Sequence, residues 1–370
     1  MSATDGRVSR LTIDLTAIQR NYRRLKAELG AGVDCAAVVK ANAYGLGVAP
    51  VARALAAAGA GRFYVAQFEE GLQLRPLLPD AEIFVLNGVQ PEIVEEFERA
   101  KLIPVLNSLG EIAIWAARAR TIERSLPAAV HLDTGMSRLG MPRAEVETLV
   151  AEPHRLDGLR LELLMSHLAC SEEPEHEANR RQLDLFRKWL KRLPSAPASF
   201  ANSSGIFLGP EYHFDQVRPG AALYGVNPLR NRSNPMEQVF LLEGQILQVR
   251  DVDRGTTVGY GATHRIESAS ARLATVAIGY ADGYLRSASG RGLAYLGDRL
   301  VSVVGRVSMD LLVIDVTTAP PEAARPGAWV ELIGPHLPVD EVAERAGTIG
   351  YEILTALGRR YARHYIRPGG

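Results

Sequence analysis

The chain has 370 residues, 47% of them hydrophobic and 23% charged, the balance of a water-soluble globular protein with length for two cores rather than one. Its 42 basic and 42 acidic residues cancel to a formal net charge of zero, which removes the electrostatic case for a nucleic-acid or anionic-membrane partner. Two cysteines, Cys35 and Cys170, are too few for a disulfide framework and lack C-x-x-C spacing, so reduced thiols and no metal site are expected.

Residues 1–7 lack the apolar core of an export signal, and no apolar stretch approaches the ~20 residues that span a bilayer, so a cytoplasmic protein is expected. Residues 10–15 read as a strand that returns to the second domain. From 33 to 225, short apolar runs alternate with amphipathic stretches, and strands are predicted at 36–39, 63–66, 83–86, 103–106, 128–132, 159–165, 199–201 and 216–217. Ser108 and Glu111 form a capping box that opens a helix over 112–118, and Leu183, Phe186 and Leu190 share one face of a helix over 177–190. Eight such units, with no G-x-G-x-x-G after the first strand, point to an α/β fold of the (β/α)8 TIM-type barrel rather than a dinucleotide-binding sheet. The polar stretch 227–235, with two prolines, reads as a linker. Beyond it, β-branched runs at 274–278, 300–304, 311–316 and 329–333 separated by turn residues predict a mostly-β C-terminal domain, followed by a helix over 340–361. The expected division is an N-terminal segment, 1–15, pairing with the β domain, then a barrel, 16–235, and the β domain, 236–370.

A barrel carries its reactive groups on the loops that follow its strands. That rule collects Lys40, Asn87, Asn107, Asp133 with Arg138, His167, Asn202 with Ser203, and Arg218 with Gly220. The set holds a nucleophilic amine, cations and hydroxyls and no metal-ligand cluster, which suits an anionic cofactor bearing a carbonyl. Lys40 standing alone would read as solvated surface. Directly after a strand and beside Tyr44 and a glycine turn, it can instead form a Schiff base with pyridoxal phosphate.

The run Val38-Val39-Lys40-Ala41-Asn42-Ala43-Tyr44-Gly45 resembles the cofactor-attachment motif of the alanine racemase family. The resemblance continues, in family order, through Asp133-Thr134-Gly135-Met136-Ser137-Arg138-Leu139-Gly140, Arg218-Pro219-Gly220, Gly259-Tyr260-Gly261, Gly279-Tyr280-Ala281-Asp282-Gly283, Ser308-Met309-Asp310 and Gly350-Tyr351-Glu352. It implies a homodimer with shared sites that uses pyridoxal 5'-phosphate to interconvert L-alanine and D-alanine, supplying D-alanine for cell-wall peptidoglycan. On the same resemblance, Lys40 attaches the cofactor and moves the Cα proton on one face, and Tyr260 of the partner subunit serves the other. His167, next to Arg218, is the polar neighbour that Tyr260 needs, and Asp310 supports it. Arg218 faces the pyridine nitrogen; a guanidinium donates and does not give up its proton, so that nitrogen stays unprotonated, which favours reprotonation over transamination. Tyr44, Ser203, the backbone at Gly220 and Ala222, and Tyr351 hold the phosphate, and Asn202 and His167 also bind the cofactor. Arg138 meets the phenolic oxygen and the substrate carboxylate, with the Met309 backbone at the latter. Tyr280 and Tyr351 narrow the entrance, and crowding by Tyr351 and Met309 favours a methyl side chain.

One position departs from the family pattern. Where a carbamylated lysine commonly orients the arginine, this chain has His131, so a bound anion such as chloride or a neighbouring asparagine is expected to hold Arg138. Three rivals are distinguishable. A broad-specificity racemase of the same fold would turn over serine or basic amino acids as well. A decarboxylase would place a carboxylate where Arg218 stands and use a later cysteine, and none follows Cys170. A non-catalytic pyridoxal-phosphate carrier would need neither the β domain nor Tyr260.

Overall fold

The computed structural model describes residues 6–367; residues 1–5, part of the stretch expected to lack an export signal, and 368–370 lie outside the described residues. The chain opens with β1 (Ser9–Asp14), which alternates buried and half-buried positions. Asp14 stops the strand by capping the helix Leu15–Lys26, accepting from the N–H groups of Thr16 at 2.8 Å and Ala17 at 2.9 Å. That helix buries Leu15, Ile18, Tyr22 and Leu25, a stripe at helical spacing.

Next come β2 (Asp34–Cys35), β3 (Ala37–Val38), β4 (Arg62–Val65), β5 (Glu82–Val85), β6 (Ile103–Leu106), β7 (Leu126–His131), β8 (Leu159–Met165), β9 (Ala198–Ser199) and β10 (Gln216–Val217). They form one parallel sheet in the order β2-β10-β9-β8-β7-β6-β5-β4-β3. β2 and β3 are halves of a single strand broken at Ala36. Ala36 N–H donates to Val217 O at 3.0 Å on one side, and Val39 N–H to Tyr64 O at 2.9 Å on the other. The nine pieces therefore make eight staves of a closed barrel, with helices such as Leu109–Thr121 and Glu177–Leu190 between successive strands. Strands covered on both faces need apolar residues throughout, and every residue of β6 is buried.

The second domain contains β11 (Phe240–Asp253), β12 (Thr257–Val258), β13 (His264–Arg265), β14 (Ser270–Val276), β15 (Leu293–Leu296), β16 (Arg299–Val304), β17 (Leu312–Asp315), β18 (Trp329–Ile333) and β19 (Ala362–Ile366). Its main sheet runs β14-β17-β16-β15-β18-β11-β1-β19, and β14 also pairs with β11, which closes a small antiparallel barrel. The 14-residue β11 allows this by pairing with β18 through its first half and β14 through its second, with a register shift between Ile246 and Gln248. β1 lies antiparallel on β11 and parallel on β19. Arg10 secures it, donating to both carboxylate oxygens of Glu243 at 2.5 and 2.8 Å and lying 4.1 Å over the Trp329 ring.

The terminal stretch differs from the single helix expected over 340–361. It forms two helices, Val339–Ala346 and Gly350–Ala356, and then continues into β19. Gly347, in the left-handed region at φ 71°, ends the first helix, and the second closes on the barrel mouth.

Candidate active site

The C-terminal ends of the barrel strands surround a cavity of about 630 Å³. Lys40, Tyr44, Asn87, Arg138, His167, Asn202, Ser203, Arg218 and Gly220 line it, and Ile349, Tyr351, Glu352 and Thr355 border it from the helix Gly350–Ala356 and the residue before it.

Lys40 begins an unusual backbone turn. Ala41, Asn42, Ala43 and Tyr44 have φ of 53°, 55°, 53° and 51°, a left-handed run of non-glycine residues, each costing on the order of 1–2 kcal/mol. Such strain persists only where neighbours enforce it. Asn42 Oδ1 accepts from Val48 N–H at 2.8 Å, and Gly45, at φ 82°, lies so close to the second helix that a Cβ would sit 2.3 Å from Leu354 O. Lys40 is half-buried; desolvation, then the charge of Arg138, hold its amine below the usual lysine range against the opposing charge of Glu70.

Arg218 is buried, at 5% exposure, with no carboxylate partner among the described residues. Its guanidinium donates to Ser199 Oγ and to Ser166 O at 2.6 Å, and lies 6.0 Å over the Tyr64 ring. Beneath it the Ser199 hydroxyl donates to Gln216 O at 2.7 Å and the Tyr64 hydroxyl to Gln216 Oε1 at 2.6 Å. Burial brings the guanidinium down to about 10, which leaves it cationic at neutral pH. His167 is pushed well below the usual histidine range by burial, then by Arg218 and Arg138, and is neutral.

A cradle lies beside these cations. Ser203 Oγ accepts from the N–H groups of Gly220 at 2.9 Å and Ala222 at 3.3 Å, which leaves its own proton to donate into the cavity. Asn202 Oδ1 holds the turn, accepting from Gly205 N–H and the Ser171 hydroxyl, each at 2.9 Å. Gly220 has no room for a side chain, since a Cβ would lie 2.4 Å from Tyr44 Oη. The Tyr44 ring packs 4.8 Å from that of Tyr224 and 6.2 Å from that of Tyr351. Burial raises the Tyr44 phenol and pushes Tyr351 up to about 12, so both are neutral donors. The Ser203 and Tyr44 hydroxyls beside Gly220, each with a proton to donate, make a site suited to an anion.

Arg138 is exposed on a loop folded by Asp133, whose Oδ1 accepts from Gly135 and Met136 N–H at 2.9 Å and Ser137 N–H at 3.2 Å. Among the described residues no hydrogen bond or ion pair holds its guanidinium. Asn107, an asparagine of the kind expected there, bonds His131 instead, Oδ1 to Nδ1 at 2.9 Å. Asn107 donates its amide to Val105 O at 2.8 Å and Leu86 O at 3.1 Å, so its Oδ1 accepts and His131 Nδ1 carries the proton. Burial, then the charge of Arg218, depresses His131 to about 4.

Tyr260, Tyr280, Met309 and Asp310 belong to the β domain, and none lines the barrel cavity. Tyr260 stands between Gly259 and Gly261, at φ 70° and 74°, and is 71% exposed. With Arg306, Ser308 and Leu311 it lines a separate cavity of about 520 Å³. Tyr280 N–H donates to Ser308 O at 3.0 Å and Ala281 N–H to Met309 O at 2.9 Å, which zips the two loops together and leaves Met309 exposed. Asp310 pairs with Arg360 at 2.8 Å, and the same guanidinium holds Asp282 at 3.2 Å. Tyr64, Ser199 and Gln216, which support Arg218, went unforeseen from sequence; a polar side chain inside an apolar strand was their only signal. Among the described residues no cluster of His, Cys, Asp and Glu is placed for a metal, and no helix is long and apolar enough to cross a membrane.

Residues 13–228 match the family model for the alanine racemase N-terminal domain and residues 239–365 that for the alanine racemase C-terminal domain. An alanine racemase of Rhodospirillum rubrum is 51% identical over 372 residues, covering 100% of this chain and 99% of that protein. A catabolic alanine racemase of Mesorhizobium japonicum is 50% identical over 357 residues, 96% of this chain and 93% of its own length. The crystal structure of alanine racemase from Bartonella henselae with covalently bound pyridoxal phosphate superimposes with a TM-score of 0.93 at 42% identity, covering 97% of this chain and 100% of that one. Biosynthetic alanine racemase from Pseudomonas aeruginosa gives 0.91 at 36% identity, covering 98% and 100%. With both family models matched in order along a (β/α)8 barrel and a β domain, the chain belongs to the alanine racemase family.

Proposed function

We propose that this chain binds pyridoxal 5'-phosphate at Lys40 and interconverts L-alanine and D-alanine as a homodimer, with Tyr260 of the partner subunit as the second proton carrier. The observation that carries this reading is the junction, in one cavity, of a desolvated lysine with the hydroxyl donors of Ser203 and Tyr44. The residues fit the cofactor on their own chemistry. Lys40 would hold its carbonyl, the Ser203 and Tyr44 hydroxyls beside Gly220 would hold its phosphate, and Arg218 would face its ring nitrogen. Bound pyridoxal phosphate supplies the electron sink that makes an amino acid's Cα proton acidic.

Lys40, its amine favoured in the neutral form by desolvation and Arg138, takes and returns that proton on one face. Arg218 donates hydrogen bonds and keeps its proton, so a ring nitrogen held against it would stay unprotonated, which would favour return of the proton to Cα. One fixed base tends to return a proton to the side it came from. A carrier on the opposite side makes inversion efficient, and within its own chain Tyr260 lies outside the barrel cavity. Tyr260 is 71% exposed and lines a cavity with Leu311, and Met309, on a loop joined to that of Tyr280, is also exposed, which supports cover by a second subunit at these loops. His167, neutral beside Arg218, supplies the polar neighbour for that carrier, and Asp310 anchors the loop of Met309 through Arg360. Arg138 receives the substrate carboxylate, and Tyr351 in the mouth favours a methyl side chain.

The same reading places the enzyme in the cytoplasm, supplying D-alanine for peptidoglycan. The catabolic name of the Mesorhizobium japonicum relative favours a second use, alanine breakdown. A D-alanine requirement on deletion supports the first; loss of growth on alanine without that requirement supports the second. The activity is tested on purified protein supplied with pyridoxal phosphate and a panel of L-amino acids. Borohydride should fix the cofactor to Lys40, and L-alanine should be racemised in preference. Equal turnover of L-serine or L-lysine would replace the reading with a broad-specificity racemase, and cofactor attachment without racemisation would leave a carrier.

A further inference from the structure

Glu70 has no part in the reaction described above, yet its carboxylate joins two neighbouring staves at the barrel mouth. It belongs to the helix Phe68–Leu74 that follows β4. Its Oε2 accepts from the N–H groups of Ala66 at 2.8 Å and Gln67 at 3.1 Å, on its own loop. Its Oε1 accepts from Ala41 N–H at 2.5 Å, on the next stave and one residue beyond Lys40. Ala41 is the first residue of the left-handed run that ends at Tyr44. The far end of this segment is fastened from the β domain, where Arg363 donates to Gly45 O at 2.9 Å and the Tyr365 hydroxyl to Leu46 O at 3.0 Å. Among the described residues, the side chain bonded to the backbone at the lysine end is that of Glu70.

We propose that Glu70 is a positioning residue for Lys40: its carboxylate straps the loops after β3 and β4 together and holds the left-handed turn in the shape that aims the lysine into the cavity. The proposal rests on the reading of Lys40 as the cofactor lysine. Three N–H donors converge on two oxygens, and only a carboxylate accepts on both. A glutamine has one acceptor oxygen, and its NH₂ would confront an N–H on one of the two loops. An aspartate keeps the charge but is one methylene too short to reach both. The same carboxylate is the negative charge that opposes Arg138 at the Lys40 amine, where His167 also faces.

The test uses the full chain with Glu70→Gln, Glu70→Asp and, as a control, Glu69→Gln at an exposed neighbour on the same helix. Hydrogen exchange of the 40–47 segment, read by mass spectrometry without cofactor, should quicken roughly 10- to 100-fold in Glu70→Gln and Glu70→Asp, the loss of a charge-assisted bond. The control should match wild type. The second readout is the pH profile for borohydride trapping of pyridoxal phosphate on Lys40. The deprotonated amine reacts, and removing a negative charge lowers its pKa, so the Glu70→Gln midpoint should move to lower pH while Glu70→Asp stays nearer wild type. A helix cap with no role at the lysine would leave the profile unmoved. Wild-type exchange together with an unshifted profile in Glu70→Gln overturns the proposal; if that variant does not fold, wild-type exchange in Glu70→Asp overturns it. Failure of wild-type protein to take pyridoxal phosphate at Lys40 would instead remove the functional reading, and the exchange comparison would still decide whether the strap exists.

Discussion

Gly220→Ala adds one methyl group at the cradle, and its cost can be worked from the neighbours. Gly220 has a negative φ of −126°, so left-handed geometry is not the obstacle. The new Cβ would lie 2.4 Å from Tyr44 Oη and 3.1 Å from its Cζ, against the ~3.5 Å at which such atoms pack favourably. The phenol must retreat by about 1 Å. Tyr44 is 7% exposed and wedged against Tyr224 and Tyr351, so retreat costs about 1–3 kcal/mol in overpacking. It also draws the hydroxyl away from an anion in the cradle, a charge-assisted bond worth about 1.5–3 kcal/mol. The lost bond alone weakens pyridoxal phosphate roughly 10- to 150-fold. Tyr44→Phe loses the same bond and removes the atom in closest conflict with the methyl. The double variant G220A/Y44F should therefore bind only a few-fold more weakly than Y44F, a strongly non-additive cycle. Equilibrium titration of cofactor-stripped protein, followed by absorbance, measures all four affinities. Additive losses, or wild-type affinity in G220A, would refute the reasoning.

Two further outcomes follow from the same cavity. Ser203→Ala leaves the buried N–H groups of Gly220 and Ala222 without their acceptor, about 1–3 kcal/mol for each unsatisfied group. The urea midpoint of cofactor-free protein should fall; an unchanged midpoint would contradict the role given to that hydroxyl. His131 titrates at about 4 when folded and near 6.5 when unfolded, so the unfolded chain binds the proton first. Its stabilising contribution is complete above about pH 6.5 and is lost as pH falls toward 4, about 3 kcal/mol in all. His131→Gln should flatten that part of the profile of unfolding midpoint against pH, and an identical acid slope in both proteins would show that the histidine does not carry it.

Much of the barrel was legible because parallel strands advertise themselves as short apolar runs, and the helix Glu177–Leu190 emerged with the bounds its periodicity implied. The first strand was harder. It is broken at Ala36, a residue no different in type from its neighbours, and only pairing on both sides reveals one stave. The terminal helix was misread because the apolar spacing of Val342, Ala346 and Ile353 continues across Gly347, whose left-handed φ turns the chain. Candidate residues that follow strands could be collected by rule, since the fold delivers them to one face; Lys40, Arg138, His167, Ser203 and Arg218 line one cavity, whereas Asn107 and Asp133, collected by the same rule, do not line it and instead bond His131 and fold the Arg138 loop. Groups that act through another residue left no trace. Glu70 reaches Ala41 across 29 positions, and Arg360 reaches Asp310 across 50, and nothing in either local sequence announces the partner. Nor does sequence foretell that four consecutive non-glycine residues after Lys40 adopt positive φ, because only the surrounding loops make that backbone affordable.

The dimeric two-base account is tested most directly by a mixed dimer. Chains carrying Lys40→Ala and Tyr260→Phe, co-expressed under different tags and purified as the mixed pair, would contain one site with both lesions and one with neither. Each parent homodimer should be slower than wild type by on the order of 10²–10⁴. The mixed dimer should recover half the wild-type rate of alanine racemisation, and a mixed dimer no faster than its parents would contradict a proton carrier supplied across the interface.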